Sequence, residues 1–523
     1  MIFEKLFLEK PELTRLKLYR NVLSMPKKVF KANELATVHK TTYQQTYNNL
    51  QGLAKDLQDF YGQSAETFFD GTDVFQESFK MPLSDYRRKM VTRTLPYNFI
   101  DAVFKNNFEN LNDFLTEQLV SRSTLSRRTS TLHDYMRRFG IGLSYIDMVF
   151  LGDERKIREF LFIFYYSLSQ GGVWPFENVS FEQARSLLQV INNNCFHYLY
   201  RNRVDEYQCI FRLAIAMERI EQGYTLSRNS RLDLLVKNNR FFNVEKSKQF
   251  GLFQLSSTYS FNEIEELFFA FNHSISPFTK ANVNDHNLVE VFSENDTFLW
   301  DFVINYLEFL ANSYSEQLSQ EVLQDPVLLA NLIRIFYSYF VFAGSFPTMA
   351  DLFESESNLT GYNQLIDITK DFILKNAAQY QMPDIITNSR LISNDIYQLL
   401  LPVIGKVVSG DAIQVKLYLE EDIVASRDLT TFLSDLKGIH VLSKADPVDL
   451  ADIVVTPLGS LGNLPNVVIP ENVKMIYWNS EDNEDEFYRI YRQIRSVHIE
   501  RKATNQKTDQ EDSSASGSDQ VLA

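Results

Sequence analysis

The chain has 523 residues, of which 45% are hydrophobic, and a formal net charge of −15 at pH 7. This length predicts several domains, each large enough to bury a hydrophobic core of its own. Its two cysteines exclude a disulfide-rich secreted fold, and no apolar run has the length of a membrane-spanning helix, so we expect a reduced, cytoplasmic protein.

Charge is distributed unevenly along the chain. Residues 1–140 carry 21 Lys+Arg and 16 Asp+Glu, a balance of +5, whereas the remainder carries 31 and 51, a balance of −20. A phosphate backbone attracts only a surface with net positive charge. Contact with nucleic acid is therefore expected in the N-terminal part alone.

The pattern over residues 12–60 predicts three helices, at 12–25, at 31–40 and from Thr41 onward. Thr41 and Gln44 have the spacing of a capping box at the start of the third helix. A predicted buried stripe on that helix consists of Tyr43, Tyr47, Leu50, Ala54 and Leu57. Its opposite face offers short hydrogen-bonding groups suited to base edges or phosphates, namely Thr42, Gln45, Thr46 and Asn49.

A second helical pair follows, with a turn at Ser121 to Ser123 and Ser123 as the expected N-cap. The first helix of this pair has the apolar residues Leu111, Phe114, Leu115 and Leu119, and the second has Leu125, Leu132, Met136 and Phe139. The outward face of the second helix is predicted to present Arg122, Thr124, Arg127, Arg128 and Thr131. Gly140 is expected to end this helix in a left-handed conformation, and the residues from Gly142 to Phe150 to form a β-hairpin wing. A tight turn before a helix that exposes Arg and Thr early is typical of a helix-turn-helix DNA reader.

Two helices joined by a tight turn also occur in helical proteins that never bind DNA. Here two such pairs stand in tandem within the net-basic part of the chain. This combination favours DNA binding over a purely structural role.

Residues 176–405 are a long series of amphipathic helices, and stretches 176–290 and 291–405 have similar lengths. Such a region is typical of a scaffold or a dimerisation core, and the two stretches predict a duplicated helical module. From residue 410 the pattern changes to short apolar strands, at 413–419, 439–442, 453–455, 467–469 and 475–478, with helices predicted at 426–436 and 482–499. Strands that alternate with helices predict a small, mostly parallel α/β domain over 410–500. The polar tail at 501–523 is expected to be disordered.

No enzyme motif is present in the sequence. It has no phosphate-binding Gly-rich loop with its lysine, no Gly-x-Ser-x-Gly elbow and no His-Glu-x-x-His pair. Its seven histidines show no metal-ligand spacing. We therefore expect no catalytic site, no metal site and no cofactor.

The stretch from Ser121 to Phe164 resembles the second DNA-binding unit of the Mga/AtxA-like virulence regulators of Gram-positive bacteria. Its most specific part is the Gly-Asp-Glu-x-x-Ile-Arg run from Gly152 to Arg158. The order of domains also resembles this family. The resemblance implies a mainly helical, multidomain chain that begins with two winged helix-turn-helix units (1–60 and 61–175). Two phosphotransferase-system regulation domains follow (176–290 and 291–405). The chain then has an α/β domain similar to the EIIB component of that system (410–500) and a tail (501–523).

The resemblance further implies a regulator that couples sugar transport to transcription. Histidines of its regulation domains accept phosphate, and we expect His197, His273 and His286 as candidates, with Arg201 one helical turn from His197 to clamp the phosphate. Two features depart from the family pattern. The second regulation domain has no histidine, and residues 420–426 after the first strand of the α/β domain contain no cysteine to carry phosphate.

The sequence thus predicts a DNA-binding transcription regulator of virulence-type genes. Its expected partners are double-stranded DNA, a second copy of the chain and phosphocarrier proteins, with no membrane. The alternative is a regulatory scaffold that binds phosphotransferase components, uses its N-terminal helices for protein contacts and does not read DNA.

Overall fold

A computed structural model provides the structure of the protein. It describes residues 2–23, 28–39, 41–62, 64–169, 172–251, 257–273, 275, 281–295, 297–349, 351, 364–407, 413–419, 424–436, 439–443, 446–456, 470, 473–478, 490, 493 and 494. The chain divides into two compact units, one formed by Met1–Ser315 and Val322–Ile396, the other by Glu316–Glu321 and Tyr397–Ala523.

Helices make up 67% of the residues that the structure describes, which confirms the predicted mainly helical class. The N-terminal helices are α1 (Ile2–Phe7), α2 (Lys10–Leu23), α3 (Ala32–His39), α4 (Tyr43–Tyr61), α5 (Leu83–Thr92), α6 (Leu95–Lys105), α7 (Leu111–Glu117), α8 (Arg122–Arg137) and α9 (Glu154–Ser169). Those that follow are α10 (Phe181–Asn194), α11 (Arg203–Glu221), α12 (Asp233–Val236), α13 (Val244–Gln249), α14 (Ser257–Asn272), α15 (Val283–Glu294), α16 (Phe298–Ser313), α17 (Glu316–Gln324), α18 (Pro326–Val341), α19 (Gln364–Asn376), α20 (Ser389–Val407) and α21 (Val424–Asp435). The strands are β1 (Val29–Lys31), β2 (Asp73–Phe75), β3 (Gly142–Ser144), β4 (Val149–Leu151), β5 (Ile413–Leu417), β6 (Ile439–Val441), β7 (Ile453–Thr456) and β8 (Lys474–Tyr477).

Helix α1 precedes the first helical pair (α3 and α4) in the chain but packs against α8 of the second pair (α7 and α8) and against α6. The ring centroids of Phe7 on α1 and Phe164 on α9 lie 5.5 Å apart. Glu4 on α1 accepts a hydrogen bond of 3.2 Å from the buried Arg87 guanidinium on α5. The start of the chain is therefore held by the same core as α8.

The predicted boundary at residue 60 differs from the observed packing. Strand β1 pairs antiparallel with β2, with Phe30 opposite Val74, so the elements around the first helical pair extend to residue 75. The predicted boundary between residues 290 and 291 likewise falls within α15. Arg334 on α18 donates a hydrogen bond of 2.7 Å to the carbonyl of Asn272 and forms an ion pair of 2.8 Å with Asp285. Helices of the two predicted regulation domains therefore share buried contacts.

The second compact unit contains a four-stranded parallel sheet with strand order β6-β5-β7-β8. Val415, Ile453, Val455 and Trp478 are buried in its core. The predicted small, mostly parallel sheet is thereby confirmed. The predicted strand at 467–469, the tail at 501–523 and residues 420–423 lie outside the described residues, as does the predicted final helix except for residues 490, 493 and 494.

Candidate nucleic-acid interface

The turn between α7 and α8 is built from a capped helix start and one left-handed residue. Leu119 has a φ of 52° and a side chain that is 90% exposed, so it lies in the turn and not in the predicted apolar stripe. Ser121 is the N-cap of α8, and its Oγ accepts a hydrogen bond of 3.2 Å from the amide of Thr124. The prediction of Ser123 as N-cap is wrong, because Ser123 already lies inside the first turn, with its Oγ 2.9 Å from that of Ser121.

The outward face of α8 matches the sequence prediction in most positions. Arg122, Arg127 and Thr131 are exposed, and within the described residues the two arginines contact no carboxylate. Thr124 is half-buried, with its Oγ1 2.9 Å from Ser121 Oγ. Arg128 is exposed but forms an ion pair with Glu9, from the loop after α1. Two of the three predicted arginines on this face are thus available to an incoming phosphate or base.

Sequence reasoning missed other exposed polar residues on the same helix, namely Ser123, Ser126, Ser130 and Arg137. Arg137 lies 3.8 Å from Asp134 and 3.4 Å from the Nδ1 of His133. The helical periodicity that identified Arg127 and Thr131 also places Ser123, Ser126 and Ser130 on the exposed side, so this signal was present in the sequence.

The inner face of α8 fixes its position. The predicted stripe is confirmed, since Leu125, Leu132 and Met136 are fully buried. Thr129 Oγ1 donates to the carbonyl of Leu125 at 2.8 Å and lies 2.6 Å from the hydroxyl of Tyr145. The ring of Tyr145 in turn stacks on Phe99 of α6 with a centroid distance of 5.1 Å. The helix and the loop after β3 are therefore held together.

The predicted hairpin is present as β3 and β4, which pair antiparallel with Leu143 opposite Phe150. Its turn is closed by Ser144, whose Oγ donates to Asp147 at 2.7 Å. Ile146 at the tip is 71% exposed, and residues 145–148 contain no lysine or arginine. This wing is not suited to a long-range electrostatic contact with phosphate.

Two glycines hold the wing against the end of α8. Gly140 has a φ of +74°, as predicted, and Gly152 has a φ of +127°, a conformation that is restricted to glycine. A Cβ atom added at Gly152 would lie 2.6 Å from the carbonyl oxygen of Gly140. The close approach of these two backbones requires glycine at position 152.

Replacing Gly152 with alanine is expected to lower the free energy of unfolding by about 2–3 kcal/mol, because the variant combines a strained φ with a backbone clash. Urea denaturation of the full chain measures this change. Gly140→Ala is the matched control, since its φ is also positive but no atom lies within 4 Å of the added Cβ. We expect a loss of about 1 kcal/mol in the control, and equal losses in both variants would contradict the predicted clash.

The first helical pair differs from its prediction by one residue. The capping box of α4 uses Thr42 and Gln45, not Thr41 and Gln44. Thr42 Oγ1 accepts from the amide of Gln45 at 3.3 Å, and Gln45 Oε1 accepts from the amide of Thr42 at 3.4 Å. These two predicted DNA contacts therefore have a local structural role at the helix start.

The other two predicted contacts on α4 are also engaged in local bonds. Thr46 is only 2% exposed, and its hydroxyl lies 2.8 Å from that of Thr41, so the prediction that it faces outward is wrong. Asn49 is half-buried and donates from Nδ2 to the carbonyl of Gln45 at 2.8 Å. Tyr43, predicted in the buried stripe, is 49% exposed, because it is the first residue of α4 and extends past the core.

Helix α9 contains basic residues that do not face solvent. Four arginine–carboxylate pairs connect α9 to α11 and α14, and we call them the α9 joint. The pairs are Glu154 with Arg219, Arg155 with Glu266, Arg158 with Glu263, and Glu159 with Arg212. Each of these eight side chains is at most 15% exposed, so Arg155 and Arg158 contribute no charge to a DNA-facing surface.

The candidate His273 lies at the edge of the α9 joint. Its Nε2 lies 3.6 Å from Glu159 Oε2. The His273 side chain is 6% exposed and borders a cavity of about 40 Å³ together with Arg155 and Arg212. Burial lowers the pKa of His273, and Glu159 only partly opposes this effect. Burial would raise the pKa of Glu159, but Arg212 and His273 outweigh it and lower that pKa to about 2.

The other two candidate histidines lie near the surface. His197 is exposed and donates from its backbone amide to the carbonyl of Phe241 at 2.9 Å. The prediction that Arg201 lies one helical turn from it is wrong, because α10 ends at Asn194 and Arg201 pairs with Asp285 at 2.7 Å. His286 is exposed on α15.

The described part of the chain has no cluster of three or more side chains able to hold a metal ion. Nor does any of its helices combine the length and apolarity needed to cross a bilayer.

Comparison with known proteins gives one family match. Residues 80–165, which contain α5 to α8, the wing and most of α9, match the family model of the Mga helix-turn-helix domain. A search of curated proteins found no match to the chain.

Proposed function

We propose that this chain is a DNA-binding transcription regulator that couples sugar-transport status to expression of virulence-type genes. The match of residues 80–165 to the Mga helix-turn-helix domain supports membership of the chain in the Mga-like regulator family. The observation that carries the DNA-binding part is the exposed face of α8 with Arg122 and Arg127. In a helix-turn-helix domain the second helix lies in the major groove with its N-terminal residues at the base edges.

The exposed side chains of α8 have chemical roles in the proposal. Guanidinium groups form bidentate hydrogen bonds with guanine and neutralise phosphates, which suits Arg122 and Arg127. The hydroxyls of Ser123 and Ser126 add hydrogen bonds to phosphates, and the N-terminus of α8 adds its helix dipole. The wing tip contains no lysine or arginine, so the proposal assigns it no phosphate contact.

Because of the α9 joint, the binding experiment uses the full chain and not an N-terminal fragment. A fragment of residues 1–165 would leave Arg155, Arg158 and Glu159 without the side chains that pair with them in α11 and α14. The full chain is therefore titrated against promoter duplexes at several salt concentrations. We expect the logarithm of the binding constant to fall linearly with the logarithm of the salt concentration. Absence of duplex binding at physiological salt would refute the proposal and favour the interaction scaffold.

The regulatory part of the proposal rests on the family resemblance and on two exposed imidazoles. A phosphoryl group adds about 1.5 to 2 negative charges, enough to reorganise a domain contact. His197 and His286 are accessible to a phosphocarrier protein as the structure stands. His273 becomes accessible only if the α9 joint opens, since the ring is buried beside Glu159.

Incubation of the full chain with phosphoenolpyruvate and the general phosphotransferase proteins is expected to introduce an acid-labile label. Changing His197 and His286 to alanine together should remove most of it, because these two rings are the exposed candidates. His133→Ala is the control, since that histidine lies on α8 within the DNA-binding domain. No label, or a label that survives the double change and the further change of His273, would refute phosphorylation at these sites.

We further propose that the chain is a homodimer and that its EIIB-like α/β domain takes part in docking. The parallel sheet of the second compact unit supports such a domain. Residues 420–426 contain no cysteine, so a phosphocysteine role is not part of the proposal. Sedimentation equilibrium at the concentrations of the DNA titration tests the dimer, and a monomer under those conditions would refute it.

A further inference from the structure

The N-terminal half of α4 offers a polar surface without charge. From Tyr43 to Ala54 the helix contains no acidic or basic residue, and its first charged side chain is Lys55. Helix α8 has the opposite composition, with arginines and hydroxyls but no amide side chain between Arg122 and Arg137. Two helices with such different chemistry are suited to different features of a DNA duplex.

Two amide side chains on α4 stand apart from the local bonds that engage Gln45 and Asn49. Gln44 and Asn48 are both exposed, lie one turn apart and are joined by a hydrogen bond of 3.0 Å from Gln44 Nε2 to Asn48 Oδ1. This bond uses the nitrogen of Gln44 and the oxygen of Asn48, so the Gln44 Oε1 acceptor and the Asn48 Nδ2 donor are not part of it. Within the described residues neither atom has another partner. The pair therefore presents one acceptor and one donor in a preorganised arrangement.

One acceptor beside one donor is the complement of a single base in the major groove. Adenine presents the N7 acceptor and the N6 donor there, so it can accept from Asn48 and donate to Gln44. Guanine presents two acceptors, N7 and O6, which would place its O6 against Gln44 Oε1. The amide pair discriminates against guanine through this repulsion as well as by its bonds to adenine.

An exposed aromatic ring lies beside the amide pair. Tyr43 is 49% exposed, and its ring centroid lies 6.0 Å from that of Tyr47, which packs edge-on against Phe69 at 5.4 Å. The ring is thus supported from behind by a row of aromatic side chains. Apolar contact with the thymine methyl group is the second major-groove signal of an A·T base pair.

We propose that α4 reads A·T base pairs in the major groove, with Gln44 and Asn48 as the adenine-binding pair and Tyr43 against a thymine methyl. This inference rests on the proposed DNA-binding function and adds the base specificity of the first helical pair. The predicted contacts Thr42, Gln45, Thr46 and Asn49 are engaged in local hydrogen bonds. In this inference the exposed Gln44 and Asn48 take their place.

The test uses duplexes that the full-length protein selects from a pool of randomised sequences. Gln44→Ala combined with Asn48→Ala is expected to weaken binding to the selected duplex about ten-fold and to relax selection at one or more A·T positions. The salt dependence should not change, because no cation is removed. Gln58→Ala is the matched control, an exposed amide on the same helix about 21 Å further along its axis.

A modified base gives the second measurement. Placing 7-deazaadenine at the selected A·T positions removes the N7 acceptor, and it should weaken the wild-type protein but not the Asn48→Ala variant. Deoxyuridine in place of thymine should likewise weaken the wild type but not Tyr43→Ala. Loss of sensitivity in the matching variant supports the inference.

The outcomes separate this inference from the proposed function. If the full chain selects no duplex, the proposed function fails and this inference falls with it. If the chain selects duplexes but the double change has no effect, or lowers the slope of the salt dependence, adenine reading by α4 is refuted and the function of α8 stands.

Discussion

Replacing Arg158 with methionine is expected to lower the free energy of unfolding of the full chain by about 3–5 kcal/mol. The guanidinium donates to the Glu263 carboxylate at 2.5 and 3.2 Å and to the carbonyl of Tyr224 at 2.9 Å. Glu263 is fully buried, so its charge would be left without a counterion in the low-dielectric interior. Urea denaturation followed by circular dichroism measures the loss.

A double change identifies the cause of this loss. Combining Arg158→Met with Glu263→Gln should recover much of the stability, because the glutamine oxygen still accepts from the amide of Leu226, which donates to Glu263 at 2.9 Å in the native protein. Arg203→Met is the matched control, since Arg203 is 89% exposed and pairs with Glu206 at the surface. We expect its effect to stay below about 1 kcal/mol. If the double variant does not recover stability, the loss results from packing of the aliphatic part of Arg158 and not from the unpaired charge of Glu263.

Changing Arg122 and Arg127 to alanine together is expected to weaken promoter binding about 100-fold. Both side chains are exposed on α8 and contact no carboxylate of the described residues, so they can approach DNA without breaking an internal ion pair. For each arginine that neutralises a phosphate, the slope of log binding constant against log salt should become shallower by about 0.9. For each arginine that reads a base, the loss should be confined to particular sequences.

Two further variants make this prediction specific. Arg203→Ala removes an exposed cation from α11 and should leave DNA binding unchanged. Arg128→Ala should weaken binding less than Arg127→Ala, because Arg128 is already paired with Glu9. Unchanged affinity and salt slope after loss of Arg122 and Arg127 would exclude α8 as the DNA reader.

The outward face of α8 could be predicted from sequence because its signals are local. Periodicity placed Leu125, Leu132 and Met136 inside, and the same helical turns then place Arg127 and Thr131 outside. The face of α4 was less accessible to this reasoning, because Thr41 and Thr42 are adjacent and either could cap the helix. The predicted stripe also began at Tyr43, which is exposed, whereas the observed buried side includes Thr46 and Leu53. The outward side of α4 therefore presents Gln44 and Asn48.

The role of Arg155 and Arg158 could not be read from the sequence, although the motif that contains them was recognised. Their carboxylate partners lie 111 and 105 residues further along the chain. An arginine on a helix after a DNA-binding motif has the same local pattern whether it faces a phosphate or a buried glutamate. Tertiary packing alone distinguishes the two.

The sequence predicts His197 and Arg201 on one helix, but α10 ends at Asn194, and an asparagine side chain contributes to this end. Asn192 accepts from the amide of Tyr198 at 2.7 Å and donates to its carbonyl at 3.1 Å. These bonds satisfy the backbone of an extended segment and remove the need for helical hydrogen bonds there. His197 and Arg201 consequently belong to a loop, and the predicted clamp between them is lost.

The position of α1 has a consequence for the geometry of the operator. The segments that flank the first helical pair in the chain are held by other helices: Phe7 of α1 packs against Phe164 of α9, and Arg87 of α5 binds Glu4 of α1. Because both flanking segments are held in the core that contains α8, we expect α4 and α8 to have little freedom to rotate independently. Each inserted base pair turns the duplex by about 34°, so half-sites read by these helices would have to keep a fixed rotational phase along the DNA.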